Sequence, residues 1–156
     1  MSGNAPTSTA RYQQLFTSTK YIVFTCTVNG YFTHISESVH TVTGYTSQEL
    51  TGKHFSILIK PSWHQRVTAF YKTQRDTEQP ETTFEFPIIR KDGSMRWVEQ
   101  SVVFTGEQDA PVQAIVHDIT KRKREQIRDR ALFEQSKDAV FLLDLDGTHI
   151  AVNQQA

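Results

Sequence analysis

Two aspartates near the C-terminal end of the chain have the spacing of a catalytic pair. Asp144 and Asp146 follow the apolar run Ala139–Leu143 and precede Gly147-Thr148. A strand that ends in a carboxylate can present that group as a nucleophile, and a second carboxylate two positions later can act as general acid and base. The segment Asp144–Thr148, DLDGT, therefore predicts either a catalytic pair of carboxylates or a strand that enters a turn.

The segment DLDGT resembles the first motif of the haloacid-dehalogenase phosphatases, and this is the enzymatic alternative for the chain. That family implies a nucleophilic Asp144 with Asp146 as acid/base. It also requires a Ser or Thr, a Lys and further acids from a long α/β domain after the motif. Only eight residues follow Thr148. We therefore expect no catalysis from this fragment.

The chain repeats itself at a distance of 117 residues. Residues 11–36 align without a gap on residues 128–153, with these identities: Arg11/Arg128, Leu15/Leu132, Phe16/Phe133, Lys20/Lys137, Val23/Val140, Phe24/Phe141 and Gly30/Gly147. DLDGT then lies over Thr27–Tyr31, TVNGY, which keeps the turn and lacks both aspartates. The repeat favours the turn interpretation. It predicts that residues 132–156 are the truncated start of a second domain.

Composition limits the partners and the compartment. The 156 residues carry 17 basic and 17 acidic side chains, and this balance argues against nucleic acid or an anionic membrane as a partner. A single cysteine excludes a disulfide framework within one chain, which suits a reducing cytoplasmic setting. No apolar run is long enough to span a bilayer, and residues 1–10 lack the apolar region of a secretory signal. We expect those first ten residues to be disordered.

Alternating and helical patterns predict an α+β fold. Residues 21–28 and 31–35 alternate as two strands, with Asn29-Gly30 as a type I′ hairpin turn between them. Thr46 and Glu49 form a capping box at the start of a short helix, and Pro61 opens a longer helix. Three strands joined by hairpins follow, so the sheet is antiparallel with the helices over one face. Residues 11–19 fit a lead-in helix, and residues 121–131 a solvated linker helix.

Three segments together resemble the PAS sensor domains. They are Gly44–Lys53 (GYTSQELTGK), Phe86–Val98 (FPIIRKDGSMRWV) and His117–Lys123 (HDITKRK). The second is similar to the family's C-terminal PAC hairpin, and the third to its exit into a signalling helix. The resemblance covers residues 11–120 and implies a five-stranded antiparallel sheet with helices over one face. Ser36 departs from the family, which often has an Asn there; the repeat has one, Asn153.

The resemblance also implies candidate cofactor sites. Haem-binding members ligate iron with a His of the longer helix, which makes His64 the haem candidate for a gas or redox sensor. A flavin–cysteinyl adduct is not expected, because Cys26 alternates with Phe24 and Val28 on a strand, as core cysteines do. No histidine has metal-site spacing with carboxylates. A ligand pocket is expected between sheet and longer helix, with these lining residues: Phe24, Phe55, Val67, Tyr71 and Phe84. Its occupant is unknown.

These features predict a cytoplasmic sensory and dimerisation module. The resemblance places it in a multidomain signalling protein, first of all a sensor histidine kinase of a two-component system, and alternatively a diguanylate cyclase or phosphodiesterase. The expected partners are a second copy of the chain, neighbouring PAS and output domains, and a small ligand. Asp118, Ile119 and Thr120 would pass the signal into the linker helix, which needs no flexible connector.

Overall fold

A computed structural model of the chain describes residues 21–104, 111–139, 141–143 and 149–153. The expected disordered start 1–10, the expected lead-in helix 11–19 and the turn Asp144–Thr148 lie outside these residues. The chain divides into two compact units that meet in sequence between Ile119 and Thr120. Among the described residues, no helix has both the length and the apolar composition to cross a bilayer.

The first unit is built on a five-stranded antiparallel sheet. Its strands are β1 Tyr21–Cys26, β2 Phe32–Ile35, β3 Glu81–Ile89, β4 Met95–Val103 and β5 Val112–Asp118. Their spatial order is β2-β1-β5-β4-β3, and every neighbouring pair is antiparallel. This confirms the predicted α+β class and the five-stranded sheet. The first and last strands of the unit therefore pair with each other inside the sheet.

Short helical segments and one longer helix connect β2 to β3. They are α1 Val39–Thr43, α2 Ser47–Leu50, 3-10 turns at Phe55–Ile57 and Pro61–Trp63, and α3 His64–Asp76. Pro61 occupies the first position of its turn, where the missing N–H costs no helical hydrogen bond. Helix α3 follows directly, as the apolar stripe of the sequence predicts.

The core lies between one face of the sheet and these helices. Alternate residues of β1 share that face: Ile22, Phe24 and Cys26. Their cross-strand partners on β5 are also apolar: Val116, Ala114 and Val112. From the helical layer, Val67 is 1 % exposed and Leu50 is fully buried. Burial of a Val, Leu or Phe side chain of this kind contributes about 1.5–3 kcal/mol.

The turn between β1 and β2 is not the predicted type I′ turn. Type I′ needs positive φ at both central residues, and here Gly30 has φ +86° while Asn29 does not have a positive φ. The Gly30 N–H donates to the Thr27 carbonyl, and the Thr27 N–H donates to the Tyr31 carbonyl, at 2.9 Å each. This is a type I turn that ends in a left-handed glycine bulge. The Asn-Gly pair is compatible with both turn types. They differ in the number of loop residues, and the pair alone does not specify that number.

The turn between β3 and β4 repeats this geometry. Gly93, with φ +82°, donates its N–H to the Arg90 carbonyl at 2.9 Å, and the Arg90 N–H donates to the Ser94 carbonyl at 2.8 Å. The Asp92 carboxylate accepts hydrogen bonds from the hydroxyl and N–H of Ser94, and these bonds lower its pKa. The predicted hairpin at Lys91–Ser94 is confirmed.

A capping box starts helix α2 and also ties it to the β3–β4 turn. The Thr46 hydroxyl accepts from the Glu49 N–H at 3.2 Å, and the Glu49 carboxylate accepts from the Thr46 N–H at 2.9 Å. The Lys91 ammonium donates to the other Glu49 oxygen at 2.5 Å. The hydrogen bonds from Lys91 and then Thr46 lower the pKa of Glu49. One exposed carboxylate thus joins a helix start to a hairpin.

The edge strand β3 carries Pro87, as the sequence indicates for a proline in a strand. Its outer edge is covered by residues 58–60. The Lys60 N–H donates to the Pro87 carbonyl at 3.3 Å, and the Ile89 N–H donates to the Leu58 carbonyl at 2.7 Å. This segment hides part of the edge from other chains.

The second unit contains helix α4, Thr120–Gln135, and a hairpin of β6 Phe141–Leu143 with β7 His149–Val152. Helix α4 continues beyond the predicted linker 121–131. The hairpin pairs are Phe141–Val152, Leu142–Ala151 and Leu143–His149, with a shift in register after Leu142. Each number lies 117 above its counterpart in the β1–β2 pairs: Phe24–Ile35, Thr25–His34 and Cys26–Phe32, with the shift after Thr25.

One amide anchors the hairpin of the second unit. Asn153 is 3 % exposed, and its Nδ2 donates to the Asp138 carbonyl at 2.9 Å and to the Phe133 carbonyl at 3.0 Å. At the position equivalent to Asp138, the Tyr21 carbonyl accepts from the Ser38 hydroxyl at 2.6 Å. That hydroxyl is hydrogen-bonded to the hydroxyl equivalent to Asn153, which belongs to Ser36. Two serines thus take the place of one asparagine.

The substitution Glu49→Gln is expected to destabilise the first unit at neutral pH. The pKa of Glu49 is lowered in the folded state, so its ionised form contributes stability above the unfolded-state pKa of about 4.3. That contribution is lost as the pH falls through the lower folded-state pKa. Urea unfolding at pH 7 should therefore find the variant less stable than the wild type.

In strong acid the two proteins should unfold at the same urea concentration, because Glu49 is then protonated in both states. Gln48→Glu, at an exposed neighbouring position of α2, is the control for a change of charge without the Lys91 contact. A difference between Glu49→Gln and wild type that stayed constant with pH would contradict the assigned role of the carboxylate.

Candidate functional site

A cavity of about 480 Å³ lies in the first unit between the inner face of the sheet and helix α3. Its interior wall is apolar, with side chains from the sheet and from the helical layer, including Ile22, Phe24, Val39, Leu58, Val67 and Val98. This volume lies within the range of pockets that hold small organic ligands. The cavity is therefore the candidate functional site.

Four of the predicted lining residues do contribute to the cavity wall: Phe24, Phe55, Val67 and Tyr71. Phe84 is not among the residues that line it. Phe84 belongs to the edge strand β3, and its ring stacks on Phe70 at 4.2 Å between centroids, next to Trp63. Phe86 and Ile88, the following residues on the same face of β3, reach the cavity instead. The alternation of apolar residues identified the correct face of β3. The position of each residue along the strand decides whether its side chain reaches the cavity.

One polar pair lies within the apolar wall. The Gln100 side-chain amide donates to the Tyr71 hydroxyl oxygen at 2.9 Å, and both residues line the cavity. Burial raises the pKa of Tyr71, so its hydroxyl is neutral at physiological pH. The bond from Gln100 uses a lone pair of that oxygen and not its hydrogen. The Tyr71 O–H can therefore be donated to a polar atom of a ligand.

The exposed residues among those that line the cavity mark its mouth, between the second half of α3 and the β1–β2 turn. They are Thr68, Lys72, Arg75 and Asp76 on the helix and Asn29 in the turn. The sequence patterns did not indicate these helical residues as part of a site. Their spacing of three and four residues, beside the apolar stripe that contains Val67 and Tyr71, is the signal that would have identified them.

Arg75 bridges the two sides of this mouth. Its guanidinium donates to the Val28 carbonyl at 3.1 Å and lies 5.8 Å from the centre of the Phe104 ring. The bond connects helix α3 to the β1–β2 turn across the opening. Because a guanidinium carries five N–H donors, Arg75 can hold this carbonyl and still bind another acceptor.

Gly30 allows the turn to approach the cavity wall closely. A Cβ atom at this position would lie 2.5 Å from the Phe55 ring and 2.8 Å from Nε2 of His54. Gly30 also has a left-handed φ of +86°, which is strained for residues with a side chain. Close packing and a left-handed φ therefore explain the glycine at position 30, one of the two positions of the repeat identity Gly30/Gly147.

Cys26 lies in the cavity wall as a neutral thiol. Desolvation by burial raises its pKa to about 11, and the nearby charge of Arg75 partly opposes that rise. A thiol with such a pKa is almost entirely protonated at neutral pH and is a weak nucleophile. Its place among Phe24 and other core side chains agrees with the packing role expected from the sequence.

His64 is the first residue of α3, and it is not among the residues that line the cavity. Its Nε2 atom lies 2.8 Å from the Ile59 carbonyl, an arrangement in which this nitrogen carries the proton and donates it. Iron would need the lone pair of a ring nitrogen. Haem ligation by His64 stays a prediction. In the part of the chain that the structure describes, no three His, Cys, Asp or Glu side chains are grouped as for a metal ion.

The expected signal exit begins at the end of β5. Arg96 lies 3.4 Å from the Asp118 carboxylate, and the Ile119 N–H donates to the Trp97 carbonyl at 2.9 Å. The Ile119 side chain is 2 % exposed. Val116, two residues before Asp118, lines the cavity. The cavity wall and the exit of the unit therefore share one strand.

Comparisons with known proteins identify the family of this fold. The PAS domain of a protein from Colwellia psychrerythraea is 24 % identical, with a TM-score of 0.63, over 74 % of this chain and 98 % of that one. A sensory box histidine kinase/response regulator from Burkholderia thailandensis E264 is 19 % identical, also with a TM-score of 0.63, over 78 % of this chain and 93 % of that one. At these identities the likeness shows the fold alone.

No curated protein sequence gives a significant match to the chain. The sequence profile of the PAS domain family matches residues 20–121, about two thirds of the chain. The matched residues include all five strands and the longer helix that enclose the cavity. The chain belongs to the PAS domain family.

Proposed function

We propose that the chain is a non-catalytic sensory module of a cytoplasmic multidomain signalling protein. In this proposal the cavity binds a small molecule, and residues 118–131 carry the response to a downstream output domain. The observation that carries the proposal is the apolar cavity of about 480 Å³ between sheet and helix α3. A packed core would normally fill such a space with side chains, so an open one supports a binding role.

The path from the cavity to the exit supports this coupling. Val116 of β5 and Val98 of β4 line the cavity, and Val98 pairs with Asp118 across the two strands. Only Ile119 separates Asp118 from the start of helix α4 in sequence. A ligand that favours one arrangement of these strands would therefore bias the start of that helix, by as much as its affinities for the two arrangements differ.

We also propose that the second unit is the start of a second PAS domain. The β6–β7 hairpin has the same pairs and the same register shift as β1–β2, at a constant offset of 117 residues. The Asn153 bond to the Asp138 carbonyl has a counterpart at Tyr21. The antiparallel pairing on either side of Asp144–Thr148 supports the turn interpretation of DLDGT over the phosphatase interpretation.

A sensor histidine kinase is the parent protein that we propose first. The similar fold of the sensory box histidine kinase/response regulator supports this choice. A diguanylate cyclase or phosphodiesterase is the alternative parent. We further propose that two copies of the chain associate, because Ile127 and Leu132 of helix α4 are 65 % and 66 % exposed and apolar side chains of this size gain free energy when covered.

The cavity proposal predicts binding of N-phenyl-1-naphthylamine, a neutral apolar dye that fluoresces when it leaves water. The substitution Thr68→Trp places a large ring at the cavity mouth and should weaken dye binding about tenfold, or about 1.4 kcal/mol. Ala69→Trp is the matched control, since Ala69 is the next exposed residue of α3 and does not line the cavity. Equal binding by the two variants, or no dye binding at all, would contradict the proposal.

The proposal of tandem PAS domains predicts two protease-resistant fragments from the parent protein. One should end between residues 119 and 139, and a second of similar size should begin there, because each sheet folds around its own core. Limited proteolysis followed by mass spectrometry measures both boundaries. If the region after residue 139 were digested as readily as an unfolded chain, the second domain would be ruled out.

The association proposal predicts a dimer whose affinity depends on helix α4. Replacing both Ile127 and Leu132 with Ser should shift the sedimentation equilibrium toward the monomer. Ile57→Ser, at a residue of the first unit that is 44 % exposed, controls for the loss of an exposed apolar side chain elsewhere. A wild-type chain that remains monomeric at high concentration would refute the dimer.

A further inference from the structure

The charged groups of the cavity all lie at its mouth. Lys72, Arg75 and Asp76 are the only Lys, Arg, Asp or Glu side chains among the described residues that line the cavity, and all three come from the last turns of α3. Two positive charges therefore face one negative charge at the opening. His54 also lines the cavity, and its Nδ1 is hydrogen-bonded to the Ser56 hydroxyl at 2.8 Å. The interior wall is apolar apart from a few uncharged groups such as the Tyr71–Gln100 pair.

The two cations at the mouth differ from three other basic residues of the unit, which are paired with carboxylates. Arg90, Lys91 and Arg96 each lie within 4 Å of a carboxylate. In the part of the chain that the structure describes, neither Lys72 nor Arg75 has such a partner. The bond that Arg75 makes is to a neutral acceptor, the Val28 carbonyl. An anion at this place would add an ion pair to this hydrogen bond with an uncharged acceptor, or replace the bond with one.

Arg75 also acts on the interior and not only on the solvent side. Its positive charge lowers the pKa of the Cys26 thiol, against the larger effect of burial. Cys26 lies in the wall between Phe24 and the β1–β2 turn. Because Arg75 and Cys26 both line the cavity, the guanidinium can reach the polar end of a molecule held near the β1–β2 turn.

From these features we propose that the cavity binds an amphiphilic monocarboxylate, with its apolar body inside the core and its carboxylate on Arg75 and Lys72 at the mouth. This inference rests on the proposed ligand-binding function and names the chemical class of the ligand. The apolar wall gains free energy from each methylene that it removes from water. The mouth supplies a fork of N–H donors that fits the two oxygens of a carboxylate.

The same features disfavour other head groups. A cationic amphiphile would meet two like charges, with only Asp76 to offset them. A neutral alcohol would fill the apolar interior equally well but would form no ion pair with Arg75 or Lys72. The preference for a carboxylate over an alcohol of equal chain length therefore isolates the contribution of the mouth from that of the interior.

The test measures displacement of N-phenyl-1-naphthylamine from the chain by three ten-carbon amphiphiles below their micelle concentrations: decanoate, 1-decanol and decylamine. Decanoate is expected to displace the dye at about tenfold lower concentration than 1-decanol, and decylamine to be the weakest. Arg75→Gln should remove most of the advantage of decanoate and leave 1-decanol unchanged. Arg75→Lys should restore part of it, because the charge returns without the fork.

Arg66→Gln is the matched control, because Arg66 lies on the same helix over the Trp63 ring and does not line the cavity. It should bind all three amphiphiles like the wild type. If Arg75→Gln does not fold, as judged by circular dichroism, Lys72→Gln takes its place with the same expected direction. Equal displacement by decanoate and 1-decanol, or an equal loss with Arg66→Gln, overturns the carboxylate proposal.

The binding proposal and the carboxylate proposal fail in different ways. Dye and 1-decanol binding that is blocked by Thr68→Trp, without a preference for decanoate, rejects the ligand class while the cavity still functions in binding. Absence of binding by the dye and by all three amphiphiles rejects the ligand-binding function itself, and the carboxylate proposal with it.

Discussion

The pairing of the first strand with the last is the constraint on which the first unit depends. β1 and β5 run side by side inside the sheet, in a register from Tyr21–His117 to Cys26–Val112. Because this pairing closes the two ends of the unit on each other, all the intervening helices and the β3–β4 hairpin must pack within one closed loop of chain. Such a long-range pairing costs loop-closure entropy, which the shared apolar face of the sheet must offset. It also places the end of β5 beside the start of β1, within two residues of Ile22 and Val116 in the cavity wall.

The cavity results from the way in which the helical segments between β2 and β3 cover the sheet. Short helices α1 and α2 and two 3-10 turns precede helix α3, and this broken layer does not cover the sheet as a continuous helix would. Side chains that line an open space lose dispersion contacts, so an unfilled core costs stability. A ligand that restores those contacts stabilises the folded state in proportion to its binding.

The segment DLDGT illustrates how one short sequence can indicate either a catalytic site or a structural turn. Its two aspartates suit a phosphoryl-transfer site, but the repeat places it over TVNGY, and the β6–β7 pairs reproduce those of β1–β2. The hydrogen bonds around Ser36 and Asn153 show the converse, in which different residue types fill the same structural role. The residue types differ, yet the Tyr21 and Asp138 carbonyls are both satisfied by a side chain from the returning strand or just after it. Backbone groups that must be paired are a stronger constraint on the fold than the residue that pairs them.

The sequence by itself determined the fold class, the antiparallel strand pattern, the capping box at Thr46 and Glu49, and four of the five expected cavity residues. These features depend on local periods and on hydrogen bonds between residues close in sequence, which a single chain displays directly. Only the tertiary structure decided the exclusion of Phe84 from the cavity and the position of Lys72 and Arg75 at its mouth. Each of these depends on how far one element extends past another. That distance is fixed by packing between segments far apart in the chain. Periodicity within one segment predicts which face is buried, and it does not predict how far the segment extends past another.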